Sequence, residues 1–235
     1  MKLSIITINY NNYKGLENTI KSVINQKFND FEFIIIDGNS TDGSLQLIKE
    51  YSSYINYYIS ENDNGIYHAM NKGIKHAKGD YIHLLNSGDI YYNRNVLSNI
   101  IFKDYDFLSF STLKKGNKDW VYLPKFNYNL NSFEVPHPGV IVKREYYIKN
   151  GFYNENYKII SDSIFLIKNM NENNTILSYD ILTIAEPNGI SARFSLNHEY
   201  EKFHLIMTYN ISFLKKIKYF FLNLTLTLIK KIIKL

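Results

Sequence analysis

Three carboxylates stand next to apolar runs along the chain: Asp37 and Asp89 follow such runs, and Asp162 precedes one. In an α/β protein, a residue that follows a strand lies at the carboxyl edge of the sheet, where ligands bind. Hard cations such as Mg²⁺ take oxygen ligands, typically one or two carboxylates together with substrate phosphates and water. Asp89 is therefore a candidate for holding a metal-bound diphosphate.

Each carboxylate also has a structural interpretation. A lone Asp in a turn usually serves the turn, and Asp162 fits an N-cap or a first-turn acid that the helix dipole attracts. Its functional interpretation is a general base that projects into a cleft. For Asp37 the ligand interpretation is favoured, because it can accept hydrogen bonds from a ribose hydroxyl or a base N–H. Asp42 is expected to cap the next helix.

Alternating strand and helix patterns position these residues. Apolar runs predict strands over residues 3–8, 31–36, 55–59 and 81–85, and helices are predicted over residues 16–24, 44–51 and 66–77. Because the strands do not alternate polar and apolar residues, both faces of the sheet are expected to be covered. That pattern is typical of a largely parallel sheet in an α/β fold.

The second half of the sequence is less regular. Short strands are predicted over residues 107–111, 120–123 and 140–143, and a helix over residues 161–170. The sequence has no internal repeat, and no Pro- or Gly-rich linker separates its two halves. One domain followed by a tail is therefore expected.

Composition and charge exclude several classes of function. The 235 residues, 45% of them hydrophobic, are enough for one sizeable core, and the absence of cysteine excludes disulfides and thiolate metal sites. The net charge is +5, but residues 211–235 hold six lysines and no acid, which leaves about −1 for residues 1–210. This distribution argues against a broad nucleic-acid-binding face, so no nucleic-acid partner is expected.

The basic tail predicts contact with a membrane surface. Its apolar run over residues 219–229 is interrupted by Asn and Thr and is shorter than the roughly 20 residues that a spanning helix needs. A helix of this composition settles at an anionic lipid surface; the alternative is a terminal helix that packs on the domain or on a second subunit. The apolar run at the amino terminus is too short for a signal-peptide core. We expect a cytoplasmic protein bound peripherally to the inner face of the cell membrane.

Four sequence blocks, in this order, resemble family 2 glycosyltransferases: LSIITINYNN, IIIDGNSTDGS, GIYHAMNKGIKHAKGDYIHLLNSGD and HPGVIVKREYYIKNGFYNENYKIISDSIF. The resemblance is closest to bacterial members that build exopolysaccharide, O-antigen or capsule repeat units. It implies the GT-A fold over residues 1–200, with a nucleotide-sugar-binding half over residues 1–105 and an acceptor-binding half over residues 106–200. Amphipathic helices over residues 201–235 are expected to follow.

The same resemblance implies roles for individual residues. Asp162 matches the catalytic base, and Asp89 belongs to the metal-binding DXD region with Mg²⁺ or Mn²⁺ as the metal. His137, in a rigid loop flanked by Pro, is a candidate for contact with donor or acceptor. The residues implied to line or border the nucleotide-sugar site are Thr7, Asn9, Asp37, Lys72, Asp80, Asn86 and Ser87.

The implied reaction is a single displacement that inverts the anomeric centre of a nucleotide sugar, with UDP as the expected nucleotide and a lipid-linked glycan as the acceptor. Asp162 would take the proton of the acceptor hydroxyl. The DXD block commonly reads Asp-Ala-Asp-Asp, whereas this chain has Asn86-Ser87-Gly88-Asp89, and His68 stands where related sequences often carry Asp. The depleted block leaves open a non-catalytic nucleotide- or glycan-binding module. A nucleotidyltransferase is disfavoured, because no Gly-rich, basic phosphate loop lies near the amino terminus.

The remaining histidines and aromatic residues receive structural interpretations. His68, His76 and His83 lie on both sides of a helix and strand boundary and do not have the spacing of a ligand set. Trp120 and Tyr122 are able to stack on a sugar ring, but aromatic residues in a Tyr-rich chain more often pack in the core. We therefore expect both to be core residues.

Overall fold

The computed structural model describes residues 1–116, 118–187, 196–221 and 225. The strands are β1 (Leu3–Asn9), β2 (Phe31–Asp37), β3 (Tyr57–Ser60), β4 (Tyr81–Leu84), β5 (Ile90–Tyr91), β6 (Phe107–Lys114), β7 (Trp120–Tyr122), β8 (Lys125–Asn127), β9 (Ser132–Glu134), β10 (Val140–Lys143) and β11 (Thr175–Ala185). The helices are α1 (Tyr13–Ile24), α2 (Ser44–Glu50), α3 (Ile66–His76), α4 (Arg144–Asn150), α5 (Ser161–Asn169) and α6 (Leu196–Thr208). Two 3₁₀ turns span Ser52–Tyr54 and His137–Gly139.

The described strands form one large sheet and a separate hairpin of β8 and β9. The order in the large sheet is β3-β2-β1-β4-β10-β6-β11-β5, with β7 beside β6. Strands β1 to β4 pair in parallel, and β11 is parallel to β6. Strand β10 is antiparallel to both β4 and β6, so β4 and β6 run in the same direction. The mostly parallel sheet predicted from the sequence is confirmed.

Helices cover both faces of the sheet, as the apolar strands require. Successive side chains of a strand point to opposite faces. On one face Ile6 and Ile34 pack with Met70 of α3, and on the other Ile5 packs with Leu16 of α1. Every residue of β1 is buried. Two apolar layers therefore enclose the sheet.

One edge of this sheet gathers the polar ends of the strands. Asn9 pairs in register with Asp37, and Asp37 pairs with Ser60 on the next parallel strand. Strand β4 leads into the turn of residues 86–89, and β5, which follows the turn, pairs with the last residues of β11. We call this side of the sheet, with Asn9, Asp37, Ser60, the turn of residues 86–89 and Glu186, the carboxyl edge.

The sequence predicted the regular first half better than the second. Strand β11 was not predicted, because Ser178, Tyr179 and Asp180 interrupt its apolar pattern, and its pairing with β6 is irregular at the same place. The expectation that Trp120 and Tyr122 belong to the core is wrong: they are 54% and 43% exposed on the short outer strand β7.

Helix α6 packs on the domain ahead of the carboxy-terminal tail. Helix α6 crosses the predicted boundary between residues 200 and 201, and its Glu201 and Ile206 are buried. Both carboxylate oxygens of Glu201 accept backbone N–H groups of the loop before α5, which ties α6 to the domain. Residues 213–221 are helical, as predicted, and the predicted tail residues 222–224 and 226–235 lie outside the described residues. None of the described helices has the length and apolar content that crossing a bilayer requires.

Candidate active site

Asp37 organises the loop after β2. Its side chain is completely buried and accepts four hydrogen bonds, from Asn9 Nδ2 (2.8 Å), Ser40 N (3.0 Å), Ser40 Oγ (2.6 Å) and Ser60 Oγ (2.6 Å). A carboxylate offers about four lone-pair sites. Asp37 therefore joins three strand ends, and a nucleotide hydroxyl would have to replace one of these donors to bind it.

Asn9 presents an acceptor without a partner at the same place. Its Nδ2 donates to Asp37 and Ser40, which fixes the orientation of the amide. The Oδ1 atom is buried and has no hydrogen-bond partner among the described residues. A buried acceptor of this kind is satisfied when a ligand donates to it. Thr7, by contrast, is fully buried and donates to Leu85 O at 2.7 Å, so it links β1 to the end of β4.

Asp42 has the capping role that the sequence predicted. Its Oδ1 accepts from Ser44 N and Oγ at the start of α2, and its Oδ2 accepts from Tyr13 N at the start of α1. Burial opposes ionisation, but these hydrogen bonds outweigh it and lower the pKa of Asp42. Asp42 thus holds the amino ends of two helices that follow site strands.

Thr19 of α1 braces the turn of residues 86–89. Its hydroxyl is 2.9 Å from Gly88 N and 2.8 Å from Asp89 O. The Ser87 amide donates to Ile8 O, and the Ser87 hydroxyl donates to Asn12 O. These bonds fix the turn against β1 and α1. No sequence signal points to Thr19, because a Thr within an amphipathic helix has no distinctive pattern.

Asp89 is buried at the end of the turn. Its exposure is 6%, and Oδ1 accepts a hydrogen bond from Glu186 N at 2.8 Å. Burial, helped by the charge of Glu186, raises the pKa of Asp89 to about 7. The carboxyl group consequently gains or loses a proton near neutral pH, and a cation beside it would favour the ionised form.

The residues at this turn can be tested against the divalent cation that the family resemblance implies. In the described parts of the chain, no three His, Cys, Asp or Glu side chains gather into a metal-binding group. Asn86 Oδ1, in the same turn as Asp89, is buried and lacks a hydrogen-bond partner among the described residues. Mg²⁺ is commonly bound by one or two carboxylates plus substrate phosphates and water. Asp89 and Asn86 fit a cation that shares its ligands with a phosphorylated substrate.

Asp162 lies in the first turn of α5 and is half-buried. The hydroxyl of Tyr67 donates to Asp162 Oδ1 at 2.8 Å. Tyr67 is 3% exposed, and burial, together with the charge of Asp162, raises its pKa well above the usual range. Tyr67 therefore stays a neutral donor, which orients the carboxylate. Sequence reasoning missed Tyr67, although it lies in the GIY segment of the matched blocks.

His137 lies near Asp162 through a chain of aromatic rings. The ring centroid of His137 is 6.4 Å from that of Tyr153, which is 5.6 Å from that of Tyr67. The 3₁₀ turn that holds His137 lies at the carboxyl edge, because β10 runs back from it along β4. The structure thus brings His137 and Asp162 to one side of the site.

His83 ties this turn to β4. Its Nε2 is 3.0 Å from Pro138 O, which can only accept, so Nε2 carries the proton and Nδ1 accepts from Tyr91 Oη at 2.8 Å. Burial lowers the pKa of His83 to about 4. A neutral, hydrogen-bonded imidazole agrees with the structural interpretation of His83.

Two carboxylates hold Lys72, and Asp80 lies away from the other predicted site residues. Lys72 Nζ lies 2.8 Å from Glu61 Oε1 and 2.7 Å from Asp63 Oδ1; burial opposes its charge, but these ion pairs raise its pKa. To bind a diphosphate, Lys72 would have to leave one of these two carboxylates. Asp63 also contacts His68 Nδ1 at 2.9 Å. Asp80 precedes β4, at the opposite edge of the sheet, and pairs with Lys2 at 3.4 Å. The structure does not bring Asp80 to the carboxyl edge.

The chain belongs to glycosyl transferase family 2, whose model matches residues 4–176. The fold is similar to that of S. aureus TarS 1–349 in complex with UDP-GlcNAc, with a TM-score of 0.70, 20% identity and coverage of 92% of this chain and 69% of that chain. It is also similar to the mannosyltransferase PcManGT from Pyrobaculum calidifontis in complex with GDP-Man and Mn²⁺, with a TM-score of 0.65, 15% identity and coverage of 88% and 62%. The predicted GT-A fold is confirmed.

Relatives in sequence carry glycosyltransferase names. Rv1514c of Mycobacterium tuberculosis (strain ATCC 25618 / H37Rv), an uncharacterized glycosyltransferase, is 38% identical over 100 residues, which are 42% of this chain and 38% of that protein. The poly(ribitol-phosphate) beta-N-acetylglucosaminyltransferase TarP of Staphylococcus aureus (strain N315) is 36% identical over 98 residues, 40% of this chain and 30% of that protein. TuaG of Bacillus subtilis (strain 168), a putative teichuronic acid biosynthesis glycosyltransferase, is 34% identical over 90 residues, 37% and 36% respectively. The matched segments span less than two fifths of these relatives.

Proposed function

We propose that this protein is an inverting glycosyltransferase that transfers a sugar from a UDP-sugar to a lipid-linked glycan in the synthesis of a bacterial surface polysaccharide. The observation that carries the proposal is the Tyr67–Asp162 hydrogen bond, which orients a carboxylate on the acceptor side of a GT-A fold. The names of TarP and TuaG and the UDP-GlcNAc bound to TarS support a cell-surface polymer and a UDP donor.

The donor nucleotide would bind at the carboxyl edge. Asn9 Oδ1, buried and without a protein donor among the described residues, is placed to accept an N–H group, as the uracil ring offers. Asp37 orients Asn9 and Ser40 around it. Asn86 and Ser87 border the diphosphate, and Lys72 joins them once it leaves a carboxylate partner.

Asp162 would act as general base in one displacement. The acceptor O–H proton passes to Asp162, the acceptor oxygen forms a bond to the anomeric carbon, and the bond from that carbon to the diphosphate oxygen breaks. The electron pair leaves with UDP, and the anomeric centre is inverted. Tyr67 holds the base, and His137 borders the acceptor. Mg²⁺ or Mn²⁺ held by Asp89 would supply positive charge beside the leaving diphosphate.

The tail would hold the enzyme at the inner membrane surface. Phe213, Ile217 and Phe221 recur at intervals of four in the helix over residues 213–221, and they are 62%, 37% and 60% exposed. Lys215 lies on the opposite side of this helix, and Lys218 borders the apolar face. An exposed apolar face flanked by lysines fits an anionic bilayer that carries the acceptor. Cosedimentation with anionic vesicles checks this, and equal binding by a chain that ends at residue 210 would contradict it.

A donor screen tests the proposed reaction. UDP-sugars and other nucleotide sugars are offered to the protein with Mn²⁺ and a lipid-linked glycan extract, and release of the nucleotide and growth of the glycan are measured. We expect UDP release that requires the glycan extract. Binding of UDP-sugar without turnover would instead identify a non-catalytic binding module.

A further inference from the structure

The space at Gly88 is filled by another carboxylate. A Cβ added to Gly88 would lie 2.3 Å from Glu186 Oε2 and 3.0 Å from Glu186 Cβ. Gly88 also has a backbone φ of +101°, which residues with a side chain rarely adopt. The Glu186 side chain therefore occupies the volume that a side chain at position 88 would take, within the segment where related sequences carry the second Asp of the block.

Glu186 is held at this turn by its backbone. Its N–H donates to Asp89 Oδ1 at 2.8 Å, directly after β11 ends at Ala185. The side chain of Glu186 and the buried carboxyl of Asp89 thus meet at one turn. Asn86, whose buried Oδ1 has no hydrogen-bond partner among the described residues, belongs to the same turn. These groups are hard oxygen donors, the type that Mg²⁺ and Mn²⁺ take.

We propose that Glu186 supplies the carboxylate that the turn of residues 86–89 lacks, and that it binds the divalent cation together with Asp89. Glu186 directly follows β11, about a hundred residues after Gly88 in the chain, and its carboxylate fills the space where Gly88 has no side chain. Two carboxylates with the donor phosphates and water complete a normal set for such a cation. This inference rests on the proposed function, since the cation is bound with a nucleoside diphosphate.

Binding of Mn²⁺ is the direct test. Mn²⁺ is titrated into the full chain, alone and with saturating UDP, and free Mn²⁺ is followed by electron paramagnetic resonance. We expect Glu186→Gln to weaken Mn²⁺ binding in the presence of UDP by at least about tenfold, as losses around metal ligands commonly do. Asp89→Asn should do the same. Glu172→Gln, which removes an exposed carboxylate elsewhere on the surface, should bind Mn²⁺ as the unchanged chain does.

The outcomes separate this inference from the proposed function. If the unchanged chain binds Mn²⁺ neither alone nor with UDP, the assignment of Glu186 fails, and UDP release in the donor screen decides the proposed function separately. If it binds Mn²⁺ with UDP and Glu186→Gln binds equally well, the assignment of Glu186 fails while the proposed function stands. Should Gln at this position prevent folding, Glu186→Asp decides, because it keeps the charge and withdraws the carboxylate by one methylene. Unchanged Mn²⁺ affinity in that variant overturns the inference.

Discussion

The two halves of the molecule hold their carboxylates in different ways. In the first half, Asp37 is fully buried and accepts four hydrogen bonds, from Asn9 and Ser60 at two neighbouring strand ends and twice from Ser40 in the loop that follows it. In the second half, Asp162 is half-buried at the start of α5, and the hydrogen bond that orients it comes from Tyr67, on α3 of the first half. The first arrangement is a prebuilt scaffold, whereas among the described residues the Asp162 carboxylate has one side-chain hydrogen bond, from Tyr67. A satisfied carboxylate positions its neighbours, and a less satisfied one can exchange a proton.

Replacement of Asp162 is expected to have the largest effect. Asp162→Asn keeps the shape and removes the proposed general base, so turnover should fall by about 10²–10⁴-fold, the usual contribution of general base catalysis. UDP binding should stay unchanged, because the donor half is intact. Steady-state rates and calorimetric UDP titration measure the two effects. Asp180→Asn, on the exposed part of β11, is the control, and near-normal turnover in Asp162→Asn would show that the base is another residue.

Replacement of Asp37 tests whether its hydrogen bonds hold the carboxyl edge together. Asp37→Ala leaves the donors of Asn9, Ser40 and Ser60 without their acceptor in a buried place, and each such loss costs about 1–3 kcal/mol. We expect the free energy of unfolding to fall by about 3 kcal/mol or more in urea denaturation.

The control for Asp37→Ala is Asp30→Ala, at a largely exposed carboxylate whose contact with the amino terminus is 3.8 Å long. Its effect should stay below about 1 kcal/mol, as is usual for exposed ion pairs. Equal stability of the two variants would mean that the hydrogen bonds of Asp37 do not hold the carboxyl edge together.

Tyr67→Phe is expected to have the smallest effect, and it tests the hydrogen bond that links the two halves. Tyr67→Phe removes the hydroxyl that donates to Asp162 and leaves the ring in place. A hydrogen bond to a charged group contributes about 1.5–3 kcal/mol, so we expect kcat to fall about tenfold while KM for the donor and UDP binding change little.

Tyr147→Phe is the matched control for Tyr67→Phe, since it removes a buried hydroxyl that bonds to Tyr153 instead of Asp162. Its kcat should match that of the unchanged chain. Equal losses in both variants would assign Tyr67 to packing, and an unchanged kcat in Tyr67→Phe would show that Asp162 does not need its hydroxyl.

The first half could be predicted because its pattern is local. Continuous apolar runs separated by helical periodicity give parallel strands covered on both faces, and Asp37 and Asp89 then fall at one edge by the geometry of parallel strands. The second half could not be predicted as well. Strand β11 gains its burial from neighbours distant in sequence, and α6 is fixed by Glu201, which caps amides some forty residues earlier.

The sequence by itself determined the family, the mostly parallel sheet and the carboxylates at its edge. Only the tertiary structure decided their partners: Thr19 on the turn of residues 86–89, Tyr67 on Asp162, and Glu186 in the space beside Gly88. It also separated Asp80 from the site and bound Lys72 to two acids. The reason is physical, since strand and helix periodicity follows from neighbours along the chain, whereas a hydrogen bond or a filled space depends on which distant segments the fold brings within a few ångströms.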